Sequence, residues 1–339
     1  MALTLALITT SSLSNSISKN FPNNPNKSTF FSTFNPNPTQ KPNKNHQIYH
    51  KLSQPTKMSE FLTAKSSPTD LVAPLSGAIN LVQSNPATWQ SAVLSNVVIF
   101  VLGSPILVSG LSLSGIAAAF LLGTLTWRSF GPPGFLLVAT YFVFGTLATK
   151  VKMAQKEAEG VAEKRKGRRG PGSVIGSSAA GCICAILSIY GIGGKELSQL
   201  WKLGFVASFC TKLSDTVSSE IGKAYGKTTY LVTTFKVVPR GTEGAVSVEG
   251  TIAGLLASNL LAIVGCLTGQ INSTGAVICI LASQIANFGE SIIGALFQEK
   301  EGFQWLNNDA VNIINISMGS ILAILFQQVL NRSWLWLIH

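Results

Sequence analysis

Residues 212–251 form the most polar passage in the second half of the chain and carry the side chains best suited to chemistry. Asp215, Ser218, Ser219 and Gly222 follow the i, i+3, i+4, i+7 spacing of one helical face. That face offers a carboxylate, two hydroxyls and a gap without a side chain, which together suit a metal-bound phosphate or diphosphate. We therefore predict a phosphate-handling site on this stretch.

The charges around Asp215 have two explanations. A solvated helix end would account for Asp215 with Glu220 and Lys223 beside it. A functional site would account for them too, because an ionisable residue at the end of an apolar helix is costly to bury. Gly222 and Gly226 favour the site, since glycine weakens a helix and no packing gain for it is visible in the sequence.

Two groups of cations are placed to bind phosphate. Segment 239–244 brings the guanidinium of Arg240 into a glycine-containing loop, which we expect to be flexible. Segment 164–169 is a basic cluster that ends beside a Gly-Pro-Gly sequence. It either sets membrane topology alone, or its Arg168 and Arg169 hold an anionic head group or a nucleotide phosphate.

A second carboxylate lies deep in an apolar segment. Asn287 and Glu290 are three residues apart, on one helical face, and Ser291 follows. A carboxylate at this depth needs a cation or a partner. We interpret Glu290 as a ligand of a metal or of a metal-bound phosphate, and a buried pair with a lysine is the alternative.

Asp309 opens the last apolar segment of the chain. Taken alone, it is best explained as a helix cap. Its predicted position opposite Glu290 favours joint ligation of a metal by the two carboxylates.

The elements that must position these residues are membrane helices. The mean hydropathy is +0.36 and 12% of residues are charged, which argues against two soluble domains in a chain of 339 residues. Apolar blocks of about 18 to 24 residues are long enough to cross a bilayer. We predict an all-α, polytopic membrane protein with about six to eight transmembrane helices. The candidate spans cover about residues 94–112, 115–127, 135–149, 174–192, 200–215, 252–267, 276–297 and 311–330.

The segment before these spans resembles a targeting peptide. Residues 1–60 are rich in Ser, Thr, Asn, Pro and Lys and contain no acidic residue before Glu60. We interpret them as a disordered chloroplast transit peptide, residues 61–90 as a linker, and residues 91–335 as the membrane domain.

The net charge of +11 comes from two places, the leader and the basic cluster, and therefore does not indicate a nucleic-acid partner. Eight Lys or Arg in residues 150–172 place that loop on the cis side of the membrane, the stroma in a chloroplast. Alternation of the spans then brings residues 215–251 and 298–309 to the same face.

The five cysteines lie in apolar segments without CxxC spacing, so we expect no zinc or disulfide chemistry.

Four ordered motifs carry a resemblance to a known family. They are SDTVSSEIG (214–222), VPRGTEGAVSVEGT (238–251), FGESIIGALFQ (288–298) and WLNNDAVN (305–312). Together they resemble the membrane family that includes the phytyl-phosphate kinase of plant chloroplasts, over roughly residues 90–330. The first motif is also similar to one of phytol and dolichol kinases, which use CTP. Where that family usually has Asp-Ser, this chain has Glu290 and Ser291.

The resemblance implies an Mg²⁺-assisted phosphotransferase of a chloroplast membrane, envelope or thylakoid. It would transfer a phosphoryl group from a stromal nucleoside triphosphate, expected to be CTP, to phytyl phosphate in the bilayer, giving phytyl diphosphate for tocopherol and phylloquinone synthesis. The alternatives are a kinase of the free alcohol phytol or of a polyprenol, and a transporter of lipid phosphates. No P-loop, soluble-kinase or GxSxG motif is present. The expected catalytic residues are Asp215, Arg240 and Glu290; the expected phosphate-binding residues are Arg168, Arg169, Ser218, Ser219, Gly222, Lys223, Gly241, Thr242 and Gly244; the expected metal ligands are Asp215, Glu290 and Asp309.

Overall fold

The structure, a computed structural model, describes residues 87–298 and 300–338. Within these ranges the chain forms ten α-helices and one two-stranded antiparallel β-ribbon, so the predicted all-α membrane fold is confirmed apart from the short ribbon. The predicted transit peptide and nearly all of the predicted linker lie outside the described residues. The helices are α1 Trp89–Leu102, α2 Ser104–Gly110, α3 Leu113–Lys150, α4 Met153–Ala158, α5 Pro171–Gly176, α6 Ala179–Ile189, α7 Gly194–Tyr225, α8 Val248–Leu267, α9 Ser273–Leu296 and α10 Asn308–Ile338; the strands are β1 Tyr230–Leu231 and β2 Ala245–Val246.

Four helices of the described chain, α3, α8, α9 and α10, are long and apolar enough to cross a membrane. Helices α1 and α2 together would make a fifth span, although they bend by 80° at their junction. This count is below the predicted six to eight for three reasons. Helix α3 contains two of the predicted spans, α5 and α6 are short pieces of one predicted span, and α7 carries seven charged residues.

Helix α3 folds back on itself at Gly131, where φ is +66° and ψ is −163°. Two prolines follow and open the second arm, because a proline at a helix start removes no helical hydrogen bond. The far ends of the two arms meet: a Cβ placed on Gly110, just before the first arm, would lie 2.8 Å from Oγ1 of Thr146 in the second arm. The spans predicted at about residues 115–127 and 135–149 are therefore the two arms of one hairpin.

Helix α7 is the central element of the described chain. Its 32 residues span about 48 Å. It contacts α3, α6, α8, α9 and α10, and the run from Leu203 to Ser214 is buried without interruption. Phe205 and Phe209 of α7 meet aromatic rings of α3, with centroids 4.5 Å apart for Phe130 and Phe205. Burial of such a continuous face against five neighbours fixes the position of the charged residues that follow it.

Helices α7 and α8 pack very closely because glycines line their contact. A Cβ on Gly250 would lie 2.5 Å from the carbonyl oxygen of Ser218, and a Cβ on Gly254 would lie 2.8 Å from that of Ser214. Gly222 faces the same contact, since its Cβ would lie 3.2 Å from Oγ of Ser247. No packing reason for Gly222 or Gly226 is visible in the sequence. The structure supplies one, the close approach of two helices through small residues.

The segment between α3 and α5 is attached to α7 by a buried ion pair. Lys156 of α4 is fully buried; its ammonium donates to the carboxylate of Glu220 and to the carbonyl oxygen of Thr149. Removing both charges from water is costly, and the additional hydrogen bond helps to offset that cost. The interpretation of Glu220 as part of a solvated helix end is therefore wrong.

Candidate functional site

A polar cavity of about 650 Å³ opens between α5, α7, α9 and α10 and the loops that connect them. Its lining includes seven Lys or Arg and six Asp or Glu side chains. Six separate parts of the sequence contribute, and all of the predicted site residues are among the lining residues. These are Arg168, Arg169, Asp215, Ser218, Ser219, Gly222, Lys223, Arg240, Gly241, Thr242, Gly244, Glu290 and Asp309.

Lys212 of α7 is a buried charged residue that lines this cavity. Its side chain is 7% exposed, and its ammonium lies 2.5 Å from a carboxylate oxygen of Asp215, one helical turn later. The same ammonium donates to Oδ1 of Asn312 on α10. Asp215 is therefore oriented by a lysine of its own helix, which is in turn held by the neighbouring helix.

Glu290 of α9 belongs to a second hydrogen-bond network next to the first. Nδ2 of Asn315 donates to Oε2 of Glu290 at 2.7 Å and to Oδ1 of Asn287 at 3.0 Å. Asn287 in turn donates to Oγ of Ser214, which joins this network to α7. The carboxyl groups of Glu290 and Asp215 are close enough to interact directly. We call Lys212, Asp215, Asn287, Glu290 and Asn312 the cavity floor.

Asp309 lies in the first turn of α10 and contacts α5. Its carboxylate packs on α5, where a Cβ on Gly172 would come within 2.6 Å of Oδ2. Asp309 precedes Asn315 by six residues, about 9 Å along the axis of α10. The cap of α10 is Asn307, whose Oδ1 accepts from the backbone N–H of Ala310 at 3.0 Å. The interpretation of Asp309 as the helix cap is therefore wrong.

Two of the expected phosphate-binding cations have carboxylate partners at the cavity mouth. Arg240 lies 3.7 Å from Glu159, and Lys223 lies 3.4 Å from Glu163. These four side chains, which we call the cavity mouth, are between 23% and 45% exposed. Exposed pairs at such distances are weak, so an anionic ligand can exchange with the carboxylates.

The loop that carries Arg240 is packed on both sides, contrary to the expected flexibility. A Cβ on Gly241 would lie 2.7 Å from Val161, and a Cβ on Gly244 would lie 2.4 Å from the carbonyl oxygen of Ser291. Both glycines have positive φ, at 80° and 74°, so a larger residue would be strained as well as crowded. The glycines thus hold the Arg240 loop between α9 and the segment that follows α4.

Arg168 and Arg169 connect the basic cluster to the end of the α3 hairpin. Nη1 of Arg169 donates to the hydroxyl of Tyr141 at 2.8 Å, and Nε of Arg168 donates to the carbonyl oxygen of Leu111 at 3.3 Å. Arg168 is exposed, whereas Arg169 is half-buried. Arg168 therefore has the freer guanidinium for a ligand, and Arg169 is already committed to the fold.

The hydroxyls of the predicted helical face line the cavity between floor and mouth. Ser219 is exposed and donates to the carbonyl oxygen of Thr216, and Ser218 is half-buried. Thr242 donates to the carbonyl oxygen of Pro239, which closes its turn. Oxygens of this kind can both donate to and accept from a phosphate or its water shell.

The donor set meets part of what Mg²⁺ requires. Asp215 and Glu290 supply adjacent carboxylates, the oxygen ligands that Mg²⁺ prefers. Oδ1 of Asn315, beside Glu290, is buried and has no hydrogen-bond partner among the described residues, so a further oxygen acceptor is available. Within residues 87–298 and 300–338 no three His, Cys, Asp or Glu side chains are grouped to hold a metal, so Asp215, Glu290 and Asp309 do not form such a group.

Sequence reasoning did not single out Lys212 or Lys156. Lys212 lies three residues before Asp215 on a buried helix, and this spacing could have indicated that the two side chains form an ion pair. The alternative of a lysine beside Glu290 was left open, and the ammonium of Lys212 does interact electrostatically with Glu290. No local signal indicates the pair of Lys156 and Glu220, because 64 residues separate its partners.

A family model and several known proteins match this chain. The model of the integral membrane protein family DUF92 matches residues 96–320. The chain is 74% identical to the protein VTE6, chloroplastic, of Arabidopsis thaliana over 257 residues, which cover 76% of this chain and 77% of that protein. It is 46% identical to an uncharacterised membrane protein of Synechocystis over 71% of this chain and 92% of that protein.

A more distant relative is an uncharacterised membrane protein of Methanocaldococcus jannaschii, 33% identical over 62% of this chain and 83% of that protein. No solved structure matches the chain. The comparisons confirm the predicted multi-pass protein of a chloroplast membrane.

Proposed function

The chain belongs to the DUF92 family of integral membrane proteins, and from that membership and the geometry of the cavity we propose that it is a membrane-bound kinase of a prenyl phosphate. The proposed reaction transfers the terminal phosphoryl group of a nucleoside triphosphate, with CTP as the favoured donor, to phytyl phosphate. The product is phytyl diphosphate, the precursor of the side chain in tocopherol and phylloquinone synthesis.

The observation that carries the proposal is the charge of the cavity. Thirteen ionisable side chains of both signs converge in one polar space within a bundle of apolar helices. Such an arrangement is expensive in a membrane protein unless a charged ligand uses it. A reaction between a lipid-anchored phosphate and a water-soluble nucleotide needs a polar space of this kind at one end of the membrane helices.

In the proposed reaction an oxygen of the acceptor phosphate attacks the terminal phosphorus of the nucleotide. The bond from that phosphorus to its bridging oxygen breaks, and the nucleoside diphosphate leaves. The acceptor oxygen is already anionic, so no side chain has to remove a proton. The protein's contribution is positioning and charge neutralisation, the main sources of catalysis in phosphoryl transfer.

The residues divide this work by position. Arg240 and Lys223 at the mouth, together with Arg168, would neutralise phosphate oxygens. Ser218 and Ser219 would donate hydrogen bonds. Asp215 and Glu290 would hold Mg²⁺, with Asp309 nearer the mouth. When bound, Mg²⁺ would offset the negative charge of the phosphates.

The test is a direct assay of purified protein in lipid nanodiscs with phytyl phosphate and each nucleoside triphosphate in turn. We expect phytyl diphosphate to form in a nucleotide-dependent manner, and Asp215→Asn serves as the matched inactive control. Phytol in place of phytyl phosphate tests the alternative kinase of the free alcohol. Absence of phytyl diphosphate with every nucleotide, from a protein that is folded by its thermal transition, would overturn the proposal.

A further inference from the structure

Lys212 occupies a position that none of the other cations in the cavity shares. It precedes Lys223 on the same helix by 11 residues, about 16 Å along the axis. Lys212 is buried, whereas the six other Lys and Arg that line the cavity are half-buried or exposed; these are Lys164, Arg165, Arg168, Arg169, Lys223 and Arg240. The cavity floor, as defined among the described residues, therefore has a single positive charge.

The ammonium of Lys212 has capacity for a ligand. A lysine carries three N–H donors, and the described structure shows two hydrogen bonds, to Asp215 and Asn312. The residue is 6% exposed and yet borders the cavity, so its charge is poorly screened by water. A charge-assisted hydrogen bond to an anion is strong in such surroundings.

The charge at the floor favours an anion only in combination with a cation. Asp215 and Glu290 are both close to Lys212, so two carboxyl groups share the floor with one ammonium group. A phosphate at the floor is therefore expected together with a divalent cation or with its own partial protonation. This requirement matches a site that handles phosphate and metal together.

We propose that Lys212 binds the phosphate monoester of the lipid acceptor at the cavity floor, while the cations of the mouth bind the nucleotide. The identity of the acceptor rests on the proposed function. A lipid phosphate keeps its hydrocarbon chain among the apolar helices, so its head group meets the deep end of the cavity. The nucleotide enters from water and meets the exposed cations first.

The test compares phytyl phosphate with phytol, because the two ligands differ only in the phosphate. Dissociation constants are measured by equilibrium binding to purified protein in nanodiscs, with Mg²⁺ present. The wild type is expected to prefer phytyl phosphate, and Lys212→Gln is expected to lose that preference by about ten-fold or more. Its affinity for CTP should stay within about three-fold of the wild type.

Two control variants isolate the charge of Lys212. Lys202→Gln changes a lysine of the same helix that lies outside the cavity lining and should keep the preference. Lys212→Arg keeps the charge and should retain part of the preference. If Lys212→Gln does not accumulate, Asp215→Asn is compared with Lys212→Gln/Asp215→Asn instead. Both of these proteins lack the carboxylate that would otherwise lose its ammonium partner, so they differ only in the charge of Lys212.

Unchanged preference in Lys212→Gln, or an equal loss of phytyl phosphate and CTP binding, would overturn the inference. So would a wild type with no preference for the phosphate. A wild type that binds phytyl phosphate through Lys212 but forms no phytyl diphosphate would overturn the proposed function and support this inference.

Discussion

The ion pairs around the cavity fall into two classes, buried pairs and partly exposed pairs. The pairs of Lys212 with Asp215 and of Lys156 with Glu220 are almost wholly shielded from water, and each lysine has a further hydrogen bond. The pairs at the cavity mouth, Arg240 with Glu159 and Lys223 with Glu163, are partly exposed and longer.

The difference shows which charges can change partners. Breaking a buried pair leaves a charge without compensation, so its geometry is effectively fixed. An exposed pair at 3.4–3.7 Å is worth little, because water and salt compete with it. The buried pairs can therefore hold a fixed geometry, whereas the pairs of the mouth can exchange partners with a charged ligand.

The largest effect is expected from the buried pair that attaches α4 to α7. Lys156→Met should lower the free energy of unfolding by about 3–5 kcal/mol, because Glu220 would remain buried without its partner. Lys156→Met/Glu220→Gln should recover much of that loss. Chemical denaturation in detergent micelles measures both. Equal destabilisation of the single and double variants would show that the pair is not the source of the stability.

The carboxylates of the floor should affect turnover rather than stability. Asp215→Asn and Glu290→Gln keep the shape of the side chain and remove the charge that a divalent cation requires. We expect turnover to fall by about two orders of magnitude or more in each. Glu290→Asp is the control and should keep substantial activity. Wild-type turnover of both neutral variants at limiting Mg²⁺ would contradict the metal assignment.

A smaller effect is expected at the mouth. Arg240→Gln should weaken nucleotide binding by about ten-fold, through the loss of a charge-assisted contact, and leave the binding of phytyl phosphate unchanged. Lys236→Gln removes an exposed cation of the same loop that lies outside the cavity lining and serves as the control. Michaelis constants for CTP and for phytyl phosphate, measured for both variants, show which substrate Arg240 contacts. A change in phytyl phosphate alone would place Arg240 with the acceptor.

The smallest effect has the opposite sign. Glu159→Gln removes the partner of Arg240, so nucleotide affinity should rise by about two- to five-fold at low salt. The gain should disappear as the ionic strength increases, because screening weakens the original pair as well. Titration of CTP at two salt concentrations tests this. A loss of affinity would mean that Glu159 positions the guanidinium for the ligand.

Local patterns predicted much of this architecture. The turn after Arg128 follows from Gly-Pro-Pro-Gly, because these residues end one helix and begin another. The convergence of distant polar segments followed from span alternation and loop charge. For Asp309 the helix cap, and for Glu220 the alternative of a solvated helix end, do not hold in the structure. Asn307 takes the cap that was assigned to Asp309, and Lys156 reaches Glu220 from another helix.

The sequence by itself determined that the protein is a helical membrane protein and identified thirteen of the residues that line its polar cavity. Both follow from properties that act locally, the hydrophobic block length and the helical spacing of polar side chains. The tertiary structure alone decided how the charges pair. It placed Lys212 between Asp215 and Asn312 and set Asn315 between Asn287 and Glu290. Pairing depends on the register of α7, α9 and α10, which glycine contacts and burial fix only when the helices pack.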